Sequence, residues 1–237
     1  MKMFTVNPIK FIASIFVSLF LATSVAHAAT LLTNGSFETP VVPVGSFTLF
    51  PVGSSGITGW TVVGPAGASL AIVSGTFSQN GVAFTAQDGA QWVDLTGFNS
   101  NSTAGVSQTV ATIIGDRYQV SYFVGNTTGG GIFGSTSTVN VSVNGVQTFS
   151  DTNSTVSPTA QNWQQFTHTF VATGASTTLA FSNGDPVTDN DNGLENIVLL
   201  DLGPAVGAVP EPDTYAMLLG GLGLLGFMAR RRKQQPV

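Results

Sequence analysis

Among side chains able to do chemistry, this chain offers carboxylates in quantity and little else. Its 237 residues include no cysteine and two histidines, His27 and His168. A zinc site of several imidazoles or thiolates cannot be built from that stock. A Ser-His-Asp hydrolase needs a histidine beside a nucleophilic serine. His168 instead sits inside the alternating run Phe166-Thr167-His168-Thr169-Phe170, and no Gly-x-Ser-x-Gly elbow occurs, so a structural role is expected for it. Glycoside hydrolysis asks only for two carboxylates, which Asp88 and Asp94 could supply. Hard oxygen ligands suit calcium, and Asp185, Asp189 and Asp191 crowd one loop ahead of Glu195, although an acidic loop is more often a solvated turn. Sugar binding needs flat aromatic faces. The candidates are Trp60, Trp92, Trp163 and Tyr118, of which Trp163, between Asn162 and Gln164 at the edge of a long loop, is the least core-like.

These groups must be positioned by an exported domain. Lys2 and Lys10 precede the apolar stretch 11–22, and Ala26-His27-Ala28 offers small residues for cleavage, so residues 1–28 read as a secretory signal peptide cut after Ala28 by signal peptidase. At the other end Val209-Pro210-Glu211-Pro212 closes the fold, because proline fixes φ and removes a donor. Residues 206–214 form a linker, 215–229 an uncharged Gly-rich transmembrane helix and 230–237 a basic tail opened by Arg230, Arg231, Arg232 and Lys233. Fifteen residues make a helix of about 22 Å, short for a hydrocarbon core of about 30 Å. The basic cluster keeps the tail cytoplasmic and the domain outside.

Between the ends, residues 29–205 keep Arg117 as the sole base against ten acids, a formal charge of −9. Such a surface repels phosphate backbones, which argues against a nucleic-acid partner. Stability without disulfides demands a sizeable core, and this length suits one domain. Strand patterns recur through it. A short strand is expected at 31–38, broken by Asn34-Gly35; Pro40, Pro43 and Pro51 make the next stretch loop-like until 59–63. Alternation follows at Leu70 and Ile72, then over 91–95, 106–110, 118–124, 163–171 and 177–181, and 194–202 reads as a final strand buried on both faces. Val139, Val141 and Val143 lead into Asn144-Gly145, a type I′ hairpin signal. Residues 125–137 and 150–161 read as mobile loops. About ten strands and no sustained helical spacing predict an all-β, antiparallel jelly-roll sandwich.

Two resemblances add to this reading. The order Val-Pro-Glu-Pro, short Gly-rich helix, Arg cluster over 209–233 resembles the PEP-CTERM sorting signal, which implies an exosortase-type enzyme cutting near Pro-Glu-Pro. Asn34-Gly35-Ser36-Phe37-Glu38, Ile57-Thr58-Gly59-Trp60, Asp88-Gly89, Val106-Ser107-Gln108-Thr109-Val110 and Gly193-Leu194-Glu195-Asn196-Ile197 resemble landmarks of galactose-binding-like jelly rolls, including carbohydrate-binding modules. That likeness implies that the first and last strands pair, so a structural calcium would join Glu38 and Glu195, with Asp191 completing the shell. Glu195 and Asn196 stand where those relatives carry two Asp residues. The expected function is a non-catalytic cell-surface or matrix protein that associates with exopolysaccharide and is membrane-anchored until processed. The alternative is a secreted glycoside hydrolase with paired carboxylates.

Overall fold

The computed structural model describes residues 30–97, 103–186, 189–205 and 212–232. The expected signal peptide, Val209, Pro210, Glu211 and Lys233 lie outside the described residues. In chain order the strands are β1 (Phe47–Pro51), β2 (Thr61–Val63), β3 (Ser69–Ser74), β4 (Phe77–Gln79), β5 (Val82–Phe84), β6 (Gln91–Asp94) and β7 (Gly105–Ala111). They continue with β8 (Asp116–Asn126), β9 (Ser137–Val143), β10 (Val146–Asn153), β11 (Asn162–Val171), β12 (Ser176–Asn183) and β13 (Gly193–Pro204), followed by helix α1 (Pro212–Arg232).

One antiparallel sheet has the order β1-β3-β6-β13-β8-β11, a second β10-β9-β12-β7-β2, and β4 with β5 forms a separate hairpin. The two large sheets pack face to face as a jelly-roll sandwich. Strand alternation makes this possible, because every second side chain points into the gap. Tyr118, Val120, Tyr122 and Val124 of β8 are buried there against Val139, Val141, Leu179 and Phe181 from the other sheet.

A second apolar layer lies on the opposite side of the six-stranded sheet. Leu70, Ile72 and Val93 face the sandwich core, while Ala71, Val73 and Trp92, one residue out of phase, face away from it. Those outward side chains are also buried, under Phe77, Val82 and Phe84 of the β4–β5 hairpin and under Phe133. Sequence reading missed this cover. The signal was Asn80-Gly81, whose φ values of 51° and 79° match the Asn144-Gly145 pair at 52° and 80°.

Other boundaries also differ from expectation. Residues 31–38 form no strand; Leu31 N–H donates to Leu199 O and Ile197 N–H to Gly35 O, so the segment lies along β13 without a continuous ladder. Asn34 and Phe37 interrupt it at φ 55° and 56°. The Phe37 conformation is held by a fully buried ring 5.2 Å from Trp60. The proline-rich stretch contains β1, an edge strand tolerant of Pro51 at its end. Residues 125, 126, 137 and 150–153 of the expected loops are strand, and Thr128 N–H to Ser157 O ties the remainder together. The helix starts earlier and ends later than 215–229. Among the described residues no helix is long and apolar enough to cross a membrane.

The Asn144-Gly145 turn gives a local test of the architecture. Gly145→Val puts a β-branched residue at φ 80°, and a loss of about 1–2 kcal/mol is expected in a thermal or urea melt. An unchanged melt would show that the β9–β10 hairpin contributes nothing to cooperative stability.

Candidate functional site

The outer apolar layer does not close completely. It encloses a cavity of about 250 Å³ walled by five aromatic side chains: Phe47 of β1, Phe77 of β4, Phe84 of β5, Trp92 of β6 and Phe133. Phe84 stacks on Trp92 with centroids 6.0 Å apart and meets Phe133 edge-on at 5.0 Å. Phe77 bridges Phe47 and Phe84, at 5.7 and 5.8 Å. Gln79 and Ile132 are exposed at the rim, where Asn190 Nδ2 donates to Ile132 O and joins the two loops that border the opening.

The polar end of the cavity is acidic. Asp94 shares outward parity with Trp92, and Gly193 of β13 lies opposite it, so Asp191 comes to the same face two residues earlier. Asp191 is 1% exposed and neither carboxylate oxygen has a hydrogen-bond partner; the Thr127 N–H favours its charged form without closing a bond. Trp92 is 2% exposed and its Nε1 is likewise unpartnered. An unmet buried polar group costs roughly 1–3 kcal/mol, which makes two in one cavity a departure that needs a physical reason.

Burial sets the protonation of this end. Desolvation pushes Asp94 up to about 7, against hydrogen bonds from the Thr96 N–H and hydroxyl. Asp191 is raised well above the usual range, first by burial and then by the Asp94 and Asp189 charges. Burial likewise lifts Asp185 to about 8 and Asp189 to about 6. Among the described residues no basic side chain offsets them. The domain's one base, Arg117, donates to Ala205 O.

Glu38 and Glu195 do come together, through a different arrangement from the expected calcium shell. Glu195 accepts the N–H groups of Gln87 and Asp88, and Glu38 Oε1 those of Ala90 and Gln91. One loop thus supplies four donors where a cation was expected. Gly89, at φ 72°, permits the approach, since a Cβ there would lie 2.4 Å from Glu38 Oε1. Asp191 lines the cavity with Asp94, and neither Glu38 nor Glu195 does. Among the described residues no three of His, Cys, Asp or Glu are gathered so as to hold a metal, and the set Glu38, Asp191 and Glu195 does not fit one. Burial still raises Glu195 to about 8. Asp88 accepts the Ser36 hydroxyl beside these glutamates, while Asp94 lines the cavity and Asp88 does not.

The aromatic candidates divide by location. Trp60 is core, with Nε1 donating to Asn34 O, and Tyr118 is core, its hydroxyl bonded to Ile113 N–H and Asp201. Neither presents a face to a ligand, because inward parity buried both. Trp163 is partly exposed, donates to Thr85 O and packs edge-on against Trp92 at 5.9 Å, supporting the cavity wall from behind. Trp92 alone of the four lines the cavity. His168 bonds Asp151 at 2.6 Å and stacks on Phe149 at 4.2 Å, while Tyr122 donates to the same carboxylate. That is a buttress between edge strands β10 and β11, with no nucleophile in it. Phe47, Phe77, Phe84 and Phe133 were not singled out from sequence, since isolated phenylalanines in strands read as core.

Known proteins resemble the chain in two segments. Residues 30–209 match the model of a family described as a protein of unknown function, DUF642, and residues 208–233 match the PEP-CTERM protein-sorting motif. No curated protein matches it. Similar solved structures include TmCBM61 in complex with beta-1,4-galactotriose, at 17% identity, TM-score 0.44 and coverage of 73% of this chain and 99% of that one. Family 16 carbohydrate-binding module 2 is 19% identical, with TM-score 0.42 and coverage of 72% and 99%. The CBM22-1 xylan-binding domain of Paenibacillus barcinonensis Xyn10C is 14% identical, with TM-score 0.40 and coverage of 70% and 99%.

Proposed function

The chain belongs to the DUF642 family and ends in a PEP-CTERM sorting motif, the mark of an exported protein, and from that premise we propose a non-catalytic cell-surface or matrix protein that binds exopolysaccharide in its aromatic cavity. The observation that carries this reading is the pairing of aromatic walls with unpartnered, buried Asp191 and Trp92 Nε1. Ring faces suit the C–H faces of a pyranose, and a sugar's hydroxyls can accept from the indole and donate to the carboxylate, meeting both deficits at once. The cavity's 250 Å³ falls below the roughly 300–1,000 Å³ of sites for drug-sized ligands, so it suits one sugar residue, at a chain end or branch.

A hydrolase is the second reading, because Asp94 and Asp191 are two carboxylates in one cavity. Glycoside hydrolysis needs one to stay ionised while the other holds a proton. Here burial drives both the same way, which favours binding over turnover. Incubating the protein with the exopolysaccharide of its own cells, and assaying soluble sugars in the same tube, separates the two. Retention without products is expected; released oligosaccharides would replace binding with hydrolysis, and no retention would remove both.

We further propose that α1 holds the precursor at the membrane until an exosortase-type enzyme cuts near Pro210-Glu211-Pro212. Exposed Met217, Leu218, Leu219, Leu222 and Leu225 support that attachment, since none of the described residues covers them. Mass spectrometry of the surface fraction is expected to find a form starting near Ala29 and ending near Pro212. A mature surface form that keeps residues 230–233 would refute the processing step.

A further inference from the structure

We propose that the cavity selects a protonated amino sugar, its ammonium group held between Asp191 and Asp94 and faced by the Trp92 and Phe84 rings. This rests on the glycan-binding reading and narrows its ligand class. Three observations lead to it. Asp191 is 1% exposed with both oxygens unpartnered, so the cavity presents more unmet acceptors than the one unmet donor, Trp92 Nε1–H, can serve. Asp94 joins it in the lining, and the domain's lone base is bonded elsewhere, so no base among the described residues is seen to neutralise the pair. The remaining walls are aromatic, with Trp92 and Phe84 stacked as one surface.

A neutral sugar would satisfy the indole but leave two desolvated carboxyls without a counter-charge. An ammonium supplies three donors and the missing positive charge together. Aromatic faces within about 6 Å attract the same cation through their quadrupoles. A metal ion fits less well, since phenyl and indole walls offer it no ligands and the described carboxylates do not converge as a metal set. Burial already raises Asp94 and Asp191. Binding of the amine should therefore displace protons from them and weaken as the solution is acidified.

The test is isothermal titration of the full chain in mild detergent at high salt, which screens the acidic surface. Three probes are compared: a β-linked glucosamine tetramer, the fully N-acetylated tetramer of the same linkage, and ethanolamine. At neutral pH the glucosamine tetramer is expected to bind at least tenfold more tightly than the acetylated one. Asp191→Asn should erase that difference while a thermal melt shows the variant folded; the carboxamide keeps the shape of the carboxyl, and the melt tells lost selectivity from lost folding. Equal affinity of the two tetramers would overturn the amine inference and leave glycan binding standing. If neither tetramer binds while the native exopolysaccharide is still retained, the inference again falls alone. Ethanolamine binding as tightly as the glucosamine tetramer would overturn the amino-sugar assignment in favour of a free amine.

Discussion

The melting temperature of this protein is expected to fall as the pH rises from about 5 to about 8, the reverse of the usual acid denaturation. The cause is the set of buried acids. Asp94 is lifted from 3.8 to about 7, Asp185 to about 8 and Glu195 from 4.5 to about 8, in each case by burial before anything else. Below the unfolded carboxylate range, near pH 4, both states hold these protons and the folded form is not penalised. Between there and about pH 8 the folded protein retains protons that the unfolded chain has released, so stability declines through the window. Above it the acids are charged in both states, and the whole cost of burying them is felt.

Each tenfold difference in proton affinity between the folded and unfolded chain is worth about 1.4 kcal/mol. Asp94 keeps an edge on the cavity, where water screens part of that, so a loss of at least ~2 kcal/mol is expected, or about 4–8 °C in Tm. Asp94→Asn keeps an oxygen to accept from Thr96. It should raise Tm at pH 8 and flatten the profile. A Tm that climbs or stays level between those pH values would mean the carboxyls are solvated or paired in a way the fold does not show.

Trp92→Ala is expected to cost about 3–5 kcal/mol, the usual penalty for emptying a large aromatic site, and to abolish glycan retention. The indole is the keystone of the outer layer, stacked on Phe84 at 6.0 Å and met edge-on by Trp163 at 5.9 Å. Without it the β4–β5 hairpin loses its footing on the sheet, and Tm should drop by roughly 10 °C. Trp92→Phe separates packing from recognition. It preserves a ring and deletes an Nε1–H that has no partner in the protein, so it should cost far less stability, about 1–2 kcal/mol. Binding should nonetheless weaken by tenfold or more, since the proposed ligand would accept from that N–H. Undiminished retention by both variants would move the binding surface away from this cavity.

How much of this was legible in advance differs from residue to residue. The strands over 118–124 and 163–171 were readable because a period of two is a local property, and 194–202 because a short apolar run is one too. The Asn144-Gly145 hairpin was readable for a similar reason, as positive φ at two adjacent residues is a demand on residue type alone. The sorting motif lies in one short stretch and needs no tertiary partner to be recognised. Residues 31–38 failed as a strand because positive φ at Asn34 and Phe37 is stabilised by contacts with Trp60 and β13 that lie far away in sequence.

The sequence by itself determined an export route, an acidic cysteine-free domain and an antiparallel sandwich, and it narrowed the chemistry to carboxylates and aromatic rings. Only the tertiary structure decided which of those groups meet. Alternation says that Trp92 and Asp94 share a face, but not that the face is roofed by a hairpin from 77–84 and a loop carrying Phe133. It says that Glu38, Asp191 and Glu195 are acids near strand ends, but not that four backbone N–H groups occupy the glutamates while Asp191 lines a cavity with both oxygens unpartnered. Periodicity is written within a strand. The covering of a face is a contact between segments distant in the chain, and the desolvation that raises the proton affinity of an ordinary aspartate exists only once that cover is in place.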